Sequence, residues 1–275
     1  MGAHVEVMDL VAQMKAAEEA FVLATVVRTV SVTAAKAGAK AIIRPDGTIV
    51  AGWIGGGCAR GAVLKAAREA LADGEPRMVS VQPENLLAEL GVKPGEMREG
   101  VRFASNMCPS KGTMDIFVEP VLPHPSLVIF GASPVAISLA AQARQLGYHV
   151  TLAAPAGDVI TAPDADVVID GFALGALNQA RRFVVVSTQS KGDEAALRAA
   201  ISTEAEYRAF VGSRRKMMAL REKLVAQGVD PAAIDRVKAP AGLDLGAITP
   251  EEIAMSILAE ITALRRRGQR AIQSV

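Results

Sequence analysis

The 275-residue chain has only two cysteines, three histidines, one tryptophan and two tyrosines. Two cysteines, Cys58 and Cys108, are too few for the disulfide framework of a secreted scaffold. They are also too far apart in sequence to read as a metal-binding pair, and a zinc site would want more ligands. His4, His124 and His149 show no ligand spacing, so they read as structural. Charge is nearly balanced, with 30 basic against 29 acidic residues and a net charge of +1. A nucleic-acid interface, which needs a basic stripe interleaved with aromatics, is therefore not expected. No apolar run approaches the roughly 18 residues of a membrane span. The N-terminus lacks a basic segment followed by an apolar run, so no signal peptide is read there. Gly2 fits a myristoylation pattern poorly. The expectation is a cytoplasmic protein without a membrane span. No Ser–His–acid order and no carboxylate pair stands out, which argues against hydrolase chemistry.

What the chain does have is apolar residues, 51% of the total, and length for one large or two modest domains. Residues 7–19 carry helical periodicity through Val7, Leu10, Val11, Met14 and Ala17. Residues 21–30 are β-branched and read as a strand. Residues 39–53 hold two apolar runs around Pro45-Asp46-Gly47, a hairpin signal. A helix is expected from Ala59 to Leu71, stopped by Asp73-Gly74. Strands are expected at 77–82 and 114–119, with an aperiodic loop over 91–113 between them. The break Val121-Leu122-Pro123-His124-Pro125 marks a boundary, giving domains 1–122 and 123–275. Beyond it, strands near 126–130, 148–153, 166–169, 182–187 and 209–211 alternate with helices to Leu146, at 193–201, at 213–227 and from Thr249. Thr249, Pro250 and Glu252 spell an N-cap, a first helical position and a capping-box partner. Arg265-Arg266-Arg267 suits a helix C-terminus. The fold class expected is α/β: a mixed α+β domain, then a Rossmann-like doubly wound parallel sheet.

Four segments could carry chemistry. Gly55-Gly56-Gly57-Cys58 lies between a strand and a helix. Its glycines let backbone N–H groups converge on an anion, and a cysteine at a helix N-terminus is a more available thiolate. The same residues also suit a plain tight turn with a small buried cysteine. Cys108, in Met107-Cys108-Pro109-Ser110, is either a displayed reactive group or an inert packed one. Gly131-Ala132-Ser133-Pro134-Val135-Ala136 is a degraded dinucleotide fingerprint, with Ser133 in place of the second glycine. No acid stands at Leu152-Ala153-Ala154-Pro155, where a ribose carboxylate belongs, so NAD(P) is not expected to bind tightly. Gly212-Ser213-Arg214-Arg215-Lys216 sits where a doubly wound sheet binds ligands, and equally reads as a solvated first turn.

Taken together these segments resemble the XdhC/CoxF/CoxI family, accessory proteins of xanthine dehydrogenase and carbon monoxide dehydrogenase. The resemblance runs in order through Gly38-Ala39-Lys40, Arg44-Pro45-Asp46-Gly47-Thr48, Ile54 to Cys58, Cys108-Pro109-Ser110 and Met114 to Pro120. It continues through Gly131 to Pro134, Val211 to Lys216, Ala239 to Gly246 and Thr249 to Ala254. It implies a maturation factor rather than an enzyme: a chaperone that binds the molybdenum cofactor, protects its sulfurated form and delivers it to an apo molybdenum hydroxylase. It implies a cysteine desulfurase as a second partner and a homodimer. Cys58 becomes the molybdenum contact, and Gly55, Gly56, Gly57, Lys40, Cys108, Gly131 and Ser133 become candidate cofactor contacts. Family members often carry Gly-Ala-Gly-His where this chain has Gly131-Ala132-Ser133-Pro134. The alternative reading is an NAD(P)-dependent oxidoreductase using the second domain. A thiol-based sulfur carrier and a pure scaffold are further readings.

Overall fold

The computed structural model describes residues 6–108, 111–159, 163–175, 181–189 and 191–266. His4, Pro109, Ser110 and Arg267 lie outside them. Internal contacts divide the chain into two units, Met1–Pro123 and His124–Val275.

The first unit is a seven-stranded sheet with helices on its two faces. In chain order it runs α1 (Val7–Ala16), β1 (Phe21–Val30), β2 (Lys40–Ile43), β3 (Ile49–Gly52), α2 (Gly57–Asp73), β4 (Arg77–Gln82), α3 (Glu84–Leu90), β5 (Met97–Arg98), β6 (Val101–Ser105) and β7 (Thr113–Val121). The strand order is β3-β2-β1-β7-β4-β6-β5. Only β4 and β6 pair in parallel, and the other neighbours are antiparallel. Alternation along the strands sorts the side chains by face. Val22, Ala24 and Val26 of β1, Val79 and Val81 of β4, and Met114, Ile116 and Val118 of β7 point to α2. The helix meets them with Ala59, Val63, Ala66, Ala67 and Ala70, small residues that let it lie close to the sheet. Arg102 of β6 and Glu69 of α2 lock helix to strand through two hydrogen bonds of 3.0 and 2.6 Å. On the opposite face α1 covers Phe21 and Ile42 with Met14.

The hairpin turns at Gly47, whose φ is +86°. Helix α2 ends as expected, with Gly74 in the left-handed conformation at its C-cap. It begins at Gly57 rather than Ala59, inside the glycine run. Helix α1 stops at Ala16, short of the expected residue 19, and Glu18 follows at φ +53°. The segment 91–113 is not all loop, since β5 and β6 lie within it. Every residue of β6 is half-buried, so no alternation of apolar and polar residues announces it.

The second unit is a six-stranded parallel sheet in the order β10-β9-β8-β11-β12-β13. Its elements are β8 (Ser126–Phe130), α4 (Pro134–Gln145), β9 (His149–Ala154), a 3₁₀ turn at Ala156–Asp158, β10 (Val167–Asp170), β11 (Arg182–Val186), α5 (Asp193–Ser202), β12 (Tyr207–Phe210), α6 (Arg214–Ala226), α7 (Pro231–Ile234), β13 (Val237–Lys238) and α8 (Pro250–Arg265). This is the doubly wound order, which reverses direction between β8 and β11. Helices α4 and α8 cover one face and α5 and α6 the other. The central strand β8 is buried throughout, as a strand covered on both faces must be. Phe130, Phe183 and Phe210 are fully buried, each worth roughly 1.5–3 kcal/mol of hydrophobic stabilisation. The capping box at Thr249 and Glu252 is present, with Pro250 in the first turn. Arg265 closes α8 with its guanidinium 5.0 Å from the Tyr148 ring centre. The short α7 and β13 were not expected, being too brief to show a period.

Candidate functional site

Strand β3 ends where its backbone touches β2. A Cβ on Gly52 would sit 1.9 Å from the Lys40 carbonyl oxygen, so only glycine fits there. The chain then anchors through fully buried Ile54 and turns at Gly55, whose φ is +111°. A Cβ on Gly55 would meet the Met114 methyl at 2.9 Å. Gly56 is the N-cap of α2. No side chain caps it, and no acid stands in the first turn. A Cβ on Gly56 or Gly57 would meet open space. The first turn of α2 thus keeps amide groups that no side chain satisfies, in a region with the positive end of the helix dipole. Cys58 lies in that first turn, partly buried.

A second loop arrives from β6. Asn106 fixes it twice, donating to the Gly112 carbonyl at 2.6 Å and accepting from the Cys108 amide at 3.0 Å. The loop is also tied to the segment after β1. Val32 and Lys111 form a β-bridge, and a Cβ on Gly112 would lie 2.3 Å from the Val32 carbonyl oxygen. Ser31 and Lys111 both hold left-handed backbone here, with φ of +65° and +48°. Between these segments lies a cavity of about 280 Å³. Thr33 and Ala34 line it from one loop, Gly56 to Ala59 from the helix, and Asn106, Met107 and Cys108 from the other loop, over Val81 and Met114. Neither cysteine is in a disulfide. Among the described residues no lysine, arginine or carboxylate lines it. An anion seated here would rest on amide groups and the helix dipole.

At the start of the second unit, Gly131 holds φ +114°, and a Cβ there would lie 2.3 Å from the Ser187 carbonyl oxygen. Ser133 is the N-cap of α4. Its hydroxyl accepts from the Ala136 amide at 3.1 Å and is 2.6 Å from the Ser187 hydroxyl. The Ser133 amide donates to the Ser187 carbonyl. Pro134 has no amide hydrogen. Most donors that a pyrophosphate would use at this helix are therefore committed or missing. A cleft of about 660 Å³ nevertheless opens beside Gly131 to Pro134, with Asp158, Thr188, Gln189 and Lys191 on its walls.

Residues 127–261 match the family model described as the XdhC Rossmann domain, and residues 14–82 match that of the XdhC and CoxI family. The chain belongs to the XdhC family. It is 29% identical over 239 residues to the uncharacterized protein YqeB of Escherichia coli, covering 84% of this chain and 41% of that protein. It is 31% identical over 163 residues to a probable xanthine dehydrogenase subunit of Bacillus subtilis, covering 56% of this chain and 47% of that protein. The chain thus spans less than half the length of these curated relatives. A solved structure named as a xanthine dehydrogenase of Bacillus halodurans aligns over 97% of this chain and 98% of its own, at 20% identity and a TM-score of 0.46.

Of the candidate residues in this XdhC-family chain, the cavity brings together Gly56, Gly57, Cys58 and Cys108, with Gly55 shaping the turn. Lys40 is placed elsewhere. It pairs with Thr25 on the sheet face opposite α2, and its ammonium donates to the Thr25 hydroxyl at 3.1 Å. Gly131 and Ser133 line the cleft of the second unit. The basic turn at Gly212 is largely structural. Ser213 caps α6, and Lys216 pairs with buried Asp193 at 2.7 Å and lies 5.3 Å from the Phe210 ring centre. Arg214 and Arg215 are exposed. His124 and His149 line neither of the two clefts. The sequence reading missed Asn106, Met114 and Asp158. Asn106 precedes Cys108 by two residues, the spacing of an Asx turn, and that was the available signal. Among the described residues no cluster of three or more His, Cys, Asp or Glu side chains could hold a metal. No described helix is long and apolar enough to cross a membrane.

Proposed function

We propose that this chain is an accessory protein that holds the molybdenum cofactor in the cavity at the start of α2 and passes it to an apo molybdenum hydroxylase. One observation carries the reading. Two thiols from distant parts of the chain, Cys58 and Cys108, line one cavity with a helix N-terminus that no side chain caps. The donor set suits the group in its chemistry. The cofactor supplies a molybdenum centre held by a dithiolene, together with a phosphate. Cys58 offers a soft thiolate to the metal, and the first-turn amides of α2 suit the anion. Asn106 holds the backbone of Cys108, the second thiol-bearing residue of the lining. The floor of Val81 and Met114 is apolar, which favours protection of a hydrolysable sulfur ligand.

Membership of the XdhC family supports a role in maturation of molybdenum hydroxylases rather than turnover of a substrate. The similarity to a probable xanthine dehydrogenase subunit favours a client of that type. A cysteine desulfurase and a second copy of the chain complete the proposed partners, and the cytoplasm is the proposed compartment.

The test mixes the purified chain with free molybdenum cofactor, desalts it, and measures molybdenum and pterin. Wild type is expected to retain close to one cofactor per chain, and Cys58→Ala to lose it. No retention by wild type would overturn the reading.

A second reading, an NAD(P)-dependent oxidoreductase, is favoured only by the cleft of about 660 Å³ in the second unit, where Asp158 lies beyond the end of β9. The committed donors around Ser133 and the absent amide of Pro134 count against it.

A further inference from the structure

Helix α2 buries one side against the sheet and turns the other to solvent. At helical spacing Gly57, Arg60, Gly61, Leu64, Lys65 and Arg68 fall on the outward side. All but half-buried Leu64 are exposed. The free charge on this side has one sign. Both acids of the helix are taken, Glu69 by Arg102 at 2.6 Å and Asp73 by Arg77. Arg60, Lys65 and Arg68 have no ion-pair partner among the described residues. The helix thus presents three uncompensated cations on a chain whose net charge is only +1.

Gly61 adds an independent observation. It lies in the second turn of a 17-residue helix, where glycine costs stability relative to alanine. Its backbone is not left-handed, and a Cβ there would meet nothing within 4 Å. The fold of the chain itself therefore has no use for glycine at this position. Bare backbone on an outward helix face does let another chain come close. Gly57, one turn earlier on the same side, is equally bare and also lines the cavity.

We infer that the outward side of α2 is the docking surface for an acidic face of the protein that receives the guest. This rests on the reading of the chain as an accessory protein that passes cofactor to an apo molybdenum hydroxylase. Two observations choose that occupant. Three free cations attract a carboxylate-rich surface and steer its approach. Gly57 belongs to both the docking side and the cavity lining, so a partner seated on the bare glycines is at the edge of the cavity. A nucleic acid fits less well, because α2 carries no aromatic side chain on which a base could stack. Arg60, Lys65 and Arg68 do not line the cavity, so docking and holding are separable.

The test measures association of the full chain with purified apo xanthine dehydrogenase of the same organism, over a range of salt concentrations. Wild type is expected to bind at a rate that falls as salt rises. The triple variant Arg60→Glu, Lys65→Glu and Arg68→Glu, checked for folding by circular dichroism, should bind on the order of 100-fold more weakly, mainly through slower association. Gly61→Ala should raise the denaturation midpoint and yet weaken binding roughly tenfold, which a merely structural glycine would not do. Both variants should retain molybdenum cofactor as wild type does. No binding by wild type, binding indifferent to salt, or undiminished binding by the triple variant would overturn the inference. So would a wild-type dimer that the triple variant splits into monomers on sedimentation, because the surface would then meet a second copy. Duplex DNA binding that the triple variant loses, with hydroxylase binding intact, would overturn it too. A chain that retains cofactor but docks without α2 overturns only this inference, and one that docks through α2 but retains no cofactor overturns only the cofactor reading.

Discussion

The three glycines before Cys58 do different work. Gly55 needs its left-handed backbone and has no room for a methyl group beside Met114. Gly55→Ala is therefore expected to cost about 1–3 kcal/mol of stability, read as a lower denaturation midpoint. Gly57 is the first residue of α2 with open space where its Cβ would stand. Gly57→Ala is expected to leave the midpoint unchanged or raise it slightly, and yet to weaken cofactor retention by filling the space over the first amides. Loss of stability without loss of retention in Gly57→Ala would contradict this division. The glycine run and Cys58 were legible as a candidate because strand, glycines, cysteine and helix are adjacent in sequence. The convergence of Cys108 was not legible. It depends on β4 and β6 lying parallel, and on β7 placing Met114 beneath the same helix. Lys40 read as a candidate through the resemblance carried by Gly38-Ala39-Lys40. The period of two along β2 instead turns it to the other face of the sheet.

At the scale of elements, α8 offers a clean test of capping. The Thr249 hydroxyl accepts from the Glu252 amide, and the Glu252 carboxylate accepts from the amides of Ile248 and Thr249 at 2.8 and 3.0 Å. Thr249→Ala is expected to cost about 1 kcal/mol, measured by chemical denaturation. Those two amides, from Ile248 foremost, hold the Glu252 carboxyl below its ordinary value of 4.5. A carboxyl lowered on folding contributes stability that is fully present above its unfolded value. That contribution is lost as pH falls through the lower folded value. Glu252→Gln should therefore flatten the acid side of the stability profile below about pH 4.5 and leave its neutral limb parallel to wild type. The helix was visible in sequence because its whole start signal is contained in four residues. α3 and the β5–β6 pair were not. In α3 only Leu87 is buried, and β5 has two residues, so neither shows a period. They are held by partners distant in sequence, as β6 is by β4.

At the scale of the whole chain, the two units have separate cores. No residue is shared between the clusters under α1 and α2 and those of the parallel sheet. Residues 1–123 and 124–275, produced separately, are each expected to unfold cooperatively, a mark of an independent core. Non-cooperative melting of either piece would contradict that. The parallel sheet was legible as a class because each buried strand is short, apolar and followed by a helix. Its ligand preference was less so, since Ser133 could be read as a weakened glycine until its hydroxyl was seen capping α4. That commitment predicts no rise in melting temperature of the full chain at millimolar NAD(H) or NADP(H). A ligand that binds only the folded state must raise it.

Gly112 lies with its backbone against the carbonyl of Val32, and Asn106 grips the carbonyl of Gly112 in turn. The spacing of the two loops that border the cavity is thus set in part by main chain meeting main chain. Substitutions in the lining can retune which atoms a guest touches while the spacing of these two loops stays fixed. A single methyl at position 112 would act as a wedge and change that spacing instead.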